Sequence, residues 1–340
     1  MRRTRPLRGE RPSDASAPRE HTVTELRLLL IGSGTFALPS FAALAAANGI
    51  NIVGVVTTAP RPAGRTGDLQ RTPVALWAER AQLPLLEVER IRDTAVVAQI
   101  AALNAEVGLL ADFGQIVPTA LLSAPRHGIL NLHPSLLPRH RGASPIPAAI
   151  IAGDSETGVC TIVMDAGLDT GALVRVDRIK LRGDERAPAL EERLADLAAG
   201  TIEGTLRGWA SGSLTAVPQE GDGVSLAPRL RRSDGRIGAM TSAQAAWAAW
   251  RAYQPWPGVY VEIPGAIERL RLDLIEAPLP ARDAANGSLS LDDAGRLLLH
   301  LPGGALPLRR VTPAGGREMD GVDLVRGRPE IATAHARIAS

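Results

Sequence analysis

The sequence predicts an α/β protein: a Rossmann-like, doubly wound, mainly parallel sheet, followed by a small C-terminal β-barrel of OB-like form. Three observations lead there. A length of 340 residues favours two domains. In the first 212 residues, short apolar β-branched runs alternate with helical patterns, the signature of parallel strands buried on both faces. Beyond residue 230, short strand patterns are separated by turn residues at the intervals of a small barrel.

Order is expected to begin near Leu26. Leu26–Ile31 reads as a buried strand, followed by Gly32-Ser33-Gly34 and an Ala-rich helix from about Phe36 to Ala47. Further strands are expected at Asn51–Thr57, Leu85–Val88, Val107–Ala111, Gly128–Leu132 and about Thr157–Met164. Helices are expected at Val74–Ala81, Ala95–Leu103, Pro118–Leu122 and about Ala189–Trp209. Residues 213–230 are rich in Ser, Pro, Gly and Gln and read as a linker. After it come a helix at Ser242–Ala252 and strands at Val259–Ile263, Leu270–Leu274, Ser288–Leu291 and Leu297–Leu301. The expected division is a basic tail (1–24), a first domain (25–212), the linker (213–230), the barrel (231–332) and a tail (333–340).

A net charge of +2 gives no global polycation to advertise nucleic-acid binding. Lys180 is the only lysine, so any phosphate contact must come from arginine forks. The single cysteine, Cys160, excludes an internal disulfide and a multi-thiolate metal site, and its apolar setting points to a buried thiol in a reducing compartment. No apolar run approaches the roughly 18 residues that span a bilayer. The first 24 residues carry six arginines but no apolar centre, so they do not read as a secretory signal.

Gly32-Ser33-Gly34 partly matches a dinucleotide fingerprint. That fingerprint also needs a carboxylate about 20 residues on, and the second strand ends Thr57-Thr58-Ala59 without one. The glycines are expected to serve a tight strand-to-helix turn.

The chemistry concentrates between Asn131 and Gly171. Asn131 and His133 flank Leu132 at a strand's carboxyl end, so both side chains share one face, and Pro134 stops the strand there. Asp169 lies in a glycine-flanked loop after the next strand, from where it can return to face His133. Taken singly, such a histidine or aspartate is more often a structural turn residue. Together at adjacent strand ends they supply a donor, a tunable acid and a base.

Asn131-Leu132-His133-Pro134-Ser135-Leu136-Leu137-Pro138 with Asp169 resembles the signature of the folate-dependent formyltransferases. Extended through Arg141-Gly142-Ala143-Ser144-Pro145-Ile146, it resembles the branch that formylates methionyl-tRNA. The similarity runs from about Leu26 to Arg328. It implies a Rossmann-like catalytic domain with a C-terminal barrel, 10-formyltetrahydrofolate as donor, methionyl-tRNA as acceptor and no metal. Asn131, His133 and Asp169 would be catalytic, with Asp169 keeping His133 charged. Phe113, Gly114, Gln115, Ile116 and Val117 would line the folate pocket together with Ser135, Leu136, Leu137 and Pro138. Arg61 and Arg65, in a loop similar to the one that grips the tRNA acceptor end, and Arg141 would meet tRNA. Asp68 departs from that loop and opposes phosphate; Arg236-Ile237-Gly238-Ala239 departs where the family often carries an acidic-Trp pair. Tyr253-Gln254-Pro255-Trp256-Pro257 resembles a C-terminal motif and is expected to be a packed aromatic anchor. A monomer in the cytoplasm is expected. Competing acceptors are an amino-sugar nucleotide, glycinamide ribonucleotide or water; a competing class is a non-catalytic RNA-binding protein.

Overall fold

The computed structural model describes residues 25–63, 67–332 and 338–339. The basic tail of residues 1–24, Arg65 and most of the final tail lie outside the described residues.

The first domain runs in the order β1 (Leu26–Gly32), α1 (Leu38–Ala45), β2 (Ile50–Thr58), β3 (Arg61–Ala63), β4 (Asp68–Gln70), α2 (Pro73–Arg80), β5 (Leu85–Val88), α3 (Thr94–Ala101), β6 (Val107–Ala111), α4 (Thr119–Leu122), β7 (Ile129–His133), α5 (Pro145–Ala152), β8 (Glu156–Val163), β9 (Leu173–Lys180) and α6 (Ala187–Ser211). Its seven-stranded sheet has the order β5-β2-β1-β6-β7-β8-β9. The first five strands are parallel, β8 runs antiparallel to β7, and β9 runs antiparallel to β8.

Strand β1 shows why its sequence is apolar throughout. Leu28 and Leu30 point into the layer holding Phe41 of α1 and Leu190, Leu194 and Ile202 of α6. Leu29 and Ile31 point the other way, against Ile100 of α3 and Leu121 of α4. Both faces are covered, so alternation vanishes. Burying each such side chain contributes roughly 1.5–3 kcal/mol.

The chain turns from β1 outward to β2 and β5, then returns to lay β6 on β1's other side. A crevice therefore opens at the carboxyl ends of β1 and β6, where ligands bind in sheets of this kind. The glycine that ends β1 is set by close backbone packing at this reversal. A β-carbon on Gly32 would meet the Ala111 carbonyl at 2.7 Å, and the Ser33 N–H donates to the Asp112 carbonyl at 2.9 Å.

The second domain contains α7 (Ala243–Ala252), β10 (Tyr260–Ile263), β11 (Ile267–Ile275), β12 (Leu289–Leu291), β13 (Leu297–Leu301), β14 (Gly304–Pro313), β15 (Met319–Asp320) and α8 (Gly321–Gly327). Its antiparallel sheet has the order β10-β11-β14-β13-β12, with β15 on β14, curving around its own core as an OB-like half-barrel. Ile338 is buried in that core, and the Ala339 N–H donates to the Glu262 carbonyl at 2.8 Å.

Strand β14 was not expected, because Pro307 removes a ladder donor and breaks the strand pattern. Charged edge strand β9 and proline-bearing helix α5 were equally silent. The domains meet through α5, α6 and α7: Arg186 stacks over Trp250 at 4.2 Å, and Arg251 donates to the Glu185 carbonyl at 3.2 Å.

Candidate active site

Strand β7 is central, between parallel β6 and antiparallel β8, so the side chains at its end are fixed by two neighbours. Asn131 and His133 are buried there. Asp169 arrives on the loop between β8 and β9, in a left-handed backbone conformation (φ 52°). That loop is tied internally, with Asp165 accepting from the Gly167 N–H at 3.0 Å and from the Thr170 hydroxyl at 2.8 Å.

The structure brings the three residues together. Asn131 Nδ2 donates to Asp169 Oδ1 at 3.3 Å, and the Gly142 N–H donates to Asp169 Oδ2 at 2.8 Å. Asp169 Oδ2 lies 3.7 Å from His133 Nδ1, too far for a direct hydrogen bond. From the linker, Gln219 Nε2 donates to the carbonyls of Asp169 and Gly171, both at 2.8 Å. Gly142 permits this closure: its φ is +117°, and a β-carbon there would lie 2.6 Å from the Ala227 carbonyl oxygen.

His133 departs from the sequence expectation of a charged ring. Burial pushes its pKa down, and the opposing pull of Asp169 does not reverse the shift. Its Nε2 sits 3.0 Å from the His140 carbonyl. A carbonyl can only accept, so the proton sits on Nε2 and the Nδ1 lone pair faces Asp169.

These side chains open into a cavity of about 630 Å³, within the range of small-molecule sites. Phe113, Gly114, Gln115, Ile116 and Val117 line it. Their parts differ. Ile116 is 90% exposed at the rim, Val117 is buried in the core, and the Gln115 amide is pinned to the Ile91 N–H and Glu89 carbonyl.

Four other expected pocket residues are elsewhere. Ser135 and Leu137 are buried, Leu137 packing with Cys160 and Ile162; Leu136 lies against Gly158; none of Ser135–Pro138 lines the cavity. The apolar Leu136-Leu137 pair is wedge material for the core below the site, which its composition does not distinguish from ligand contact. Arg141, expected to meet tRNA, spends its Nε and Nη2 donors on Gln219 Oε1 at 3.1 and 2.6 Å. Its guanidinium braces the residue that holds the Asp169 loop. Arg61 is exposed on the β3–β4 hairpin.

Asp112, at the end of β6, opens the stretch that resembles the family's pocket lining and is one of the cavity's acids. Sequence reasoning missed other cavity residues: Glu191, on α6, is a further acid, and Arg229 supplies a guanidinium. Surrounding protein, then Glu191, pushes the Asp112 carboxyl up to about 6 although it opens to the cavity. The second domain contributes Gln254, Pro255 and Trp256. Trp256 is 53% exposed and is a cavity wall, not the packed anchor expected from its Pro-Trp-Pro setting.

Residues 26–203 match the formyl transferase family and residues 229–329 the formyl transferase C-terminal domain. The chain is 37% identical over 303 residues to a methionyl-tRNA formyltransferase of Sphingopyxis alaskensis, covering 89% of this chain and 97% of that protein. It is 39% identical over 307 residues to one of Gluconobacter oxydans, with the same coverage. Among solved structures, it resembles an N-formyltransferase from Helicobacter canadensis in complex with folinic acid and dTDP-3-aminofucose (TM-score 0.59, 13% identity, 83% of this chain and 98% of that one). It also resembles HypX from Aquifex aeolicus in complex with tetrahydrofolic acid (TM-score 0.58, 12% identity, 88% of this chain), of which it spans about half, 47%. At such identities these structures speak for the fold alone. With both domains matched in order along one chain, this protein belongs to the formyl transferase family.

Proposed function

We propose that this protein transfers the formyl group of 10-formyltetrahydrofolate to the free α-amine of methionyl-tRNA, the initiator species of translation. The observation that carries this reading is the cluster of Asn131, His133 and Asp169 in the lining of a cavity to which Trp256 of the second domain also contributes. Near full-length similarity to methionyl-tRNA formyltransferases supports the acceptor, and a folate-family cavity supports the donor.

In this reading the acceptor's ammonium enters between His133 Nδ1 and Asp169 Oδ2 and loses a proton to this pair. The amine nitrogen then bonds to the formyl carbon, and the formyl oxygen becomes an oxyanion. Asn131 Nδ2 is the nearby donor for that charge; losing one such donor costs about 2.7–4 kcal/mol of transition-state stabilisation. On collapse the attacking nitrogen gives up its second proton to the folate nitrogen as the bond from that nitrogen to the formyl carbon breaks, and the first proton passes from the His133–Asp169 pair to water. A neutral His133 suits this sequence, because only an unprotonated Nδ1 accepts a proton. Residues 25–212 would carry the chemistry, residues 213–230 would link the domains, and residues 231–332 would carry the tRNA, in a cytoplasmic monomer.

The test is to incubate the purified protein with 10-formyltetrahydrofolate and either charged or uncharged initiator tRNA. Formylation of the charged species alone is the expected result. Formylation of a dTDP-amino sugar with methionyl-tRNA left untouched would overturn the acceptor.

A further inference from the structure

The orientation of His133 depends on a group outside the cavity. Its Nε2–H is taken by the carbonyl of His140, a residue that turns left-handed, with φ +59°. A residue with a β-carbon is held in that conformation only when its surroundings determine it.

Here they do. The His140 backbone N–H donates to Ser225 Oγ at 2.9 Å, and the buried imidazole donates through Nε2 to Asp154 Oδ2 at 2.7 Å. Asp154 is itself fixed. It follows the left-handed Gly153 that caps α5, its own N–H donates to the Ala149 carbonyl at 3.1 Å, and its second carboxylate oxygen pairs with Arg139. Neither His140 nor Asp154 lines the cavity, so neither touches a substrate there.

We propose that Asp154 and His140 are a positioning pair for His133: the Asp154 carboxylate holds the His140 ring, which sets the turn whose carbonyl fixes His133 as the Nε2–H tautomer. With Nε2 pinned, Nδ1 is the atom left to face Asp169. Rotating the ring would strand a buried N–H without a partner, which folded proteins avoid. This proposal rests on the catalytic assignment of His133, but the tautomer is measured independently of catalysis.

The experiment combines ¹⁵N-labelled histidine spectra with steady-state kinetics on the full chain, comparing wild type with Asp154→Ala and His140→Asn. Asparagine tolerates the left-handed turn, so the second variant removes the imidazole with the least backbone strain. In both variants His133 should change from a single Nε2–H tautomer to a mixture. Turnover should fall about tenfold, as displacement of a catalytic group by a fraction of an ångström produces, with the KM for each substrate within twofold. A merely structural pair would lower stability and leave the His133 tautomer and the turnover of the folded enzyme as they were. Unchanged His133 nitrogen shifts in a folded, fully active His140→Asn protein would overturn the proposal, whatever becomes of Asp154→Ala. Failure of the catalytic assignment itself shows separately, as full turnover in His133→Ala.

Discussion

A β-carbon on Gly34 would fall 1.6 Å from Oδ2 of Asp112. The glycine after β1 is thus explained by a carboxylate at the end of β6, with the Gly34 N–H also donating to the Asp112 carbonyl at 3.2 Å. Gly34→Ala should displace the Asp112 carboxylate toward the cavity and cost about 1 kcal/mol, the low end of overpacking, because that side chain has open space to move into. Urea unfolding measures it, and an unchanged midpoint would contradict this packing.

Asp112 itself should leave a mark on the pH dependence of stability. Its carboxyl, ordinarily near 3.8, is pushed up to about 6 by burial and by Glu191, while the Phe36 N–H pulls the other way. Between those values the folded state holds a proton that the unfolded state has lost, so this group makes stability fall as pH rises. Asp112→Asn removes the effect and keeps an acceptor for Phe36. The variant should therefore gain on wild type between about pH 4 and about pH 6, and no further above that. Parallel unfolding curves across this range would show the carboxyl unperturbed.

Gln219 joins Arg141 to the loop of Asp169. Gln219→Ala and Arg141→Ala should each lower kcat by about tenfold through a loosened Asp169, with the double variant little worse than either single one. Neither should alter the salt dependence of tRNA binding. Arg61→Ala should do the reverse, sparing kcat and reducing the slope of log affinity against log salt by roughly one. A salt slope altered by Arg141→Ala would restore that residue to the tRNA surface.

The proposed donor cavity separates two residues that look alike in sequence. Ile116 is exposed at the cavity rim, so Ile116→Asp should weaken folate binding at least about tenfold, a charge there opposing an apolar contact. Leu137 is core, so Leu137→Ala should cost about 2–5 kcal/mol of stability and leave folate affinity alone. Titration calorimetry beside urea unfolding distinguishes the two.

Much of this was legible in the chain. The apolar run of β1, the Pro134 stop and the pairing of Asn131 with His133 are local, and periodicity or a single proline reveals them. Strand β14 was hidden because Pro307 broke its pattern, and β9 because Arg175, Asp177, Arg178 and Lys180 make an edge strand resemble a loop. The cavity residues Glu191, Arg229 and Trp256 come from distant segments, and only the folded sheet and the docking of α7 bring them together. Leu137 failed for another reason: a motif marks a segment but not which of its side chains turns inward. For His133 the sequence displays the carboxylate that would raise its pKa but not the burial that lowers it.

The cluster at the end of β7 is tested most directly by the turnover of His133→Ala with 10-formyltetrahydrofolate and methionyl-tRNA, folate affinity being measured on the same protein. In the proposed mechanism His133 takes up the acceptor's proton and does not hold the donor, so turnover should fall by at least about 10², with folate affinity within a few-fold of wild type. Turnover near that of wild type would contradict the assignment and move the chemistry to another part of the cavity.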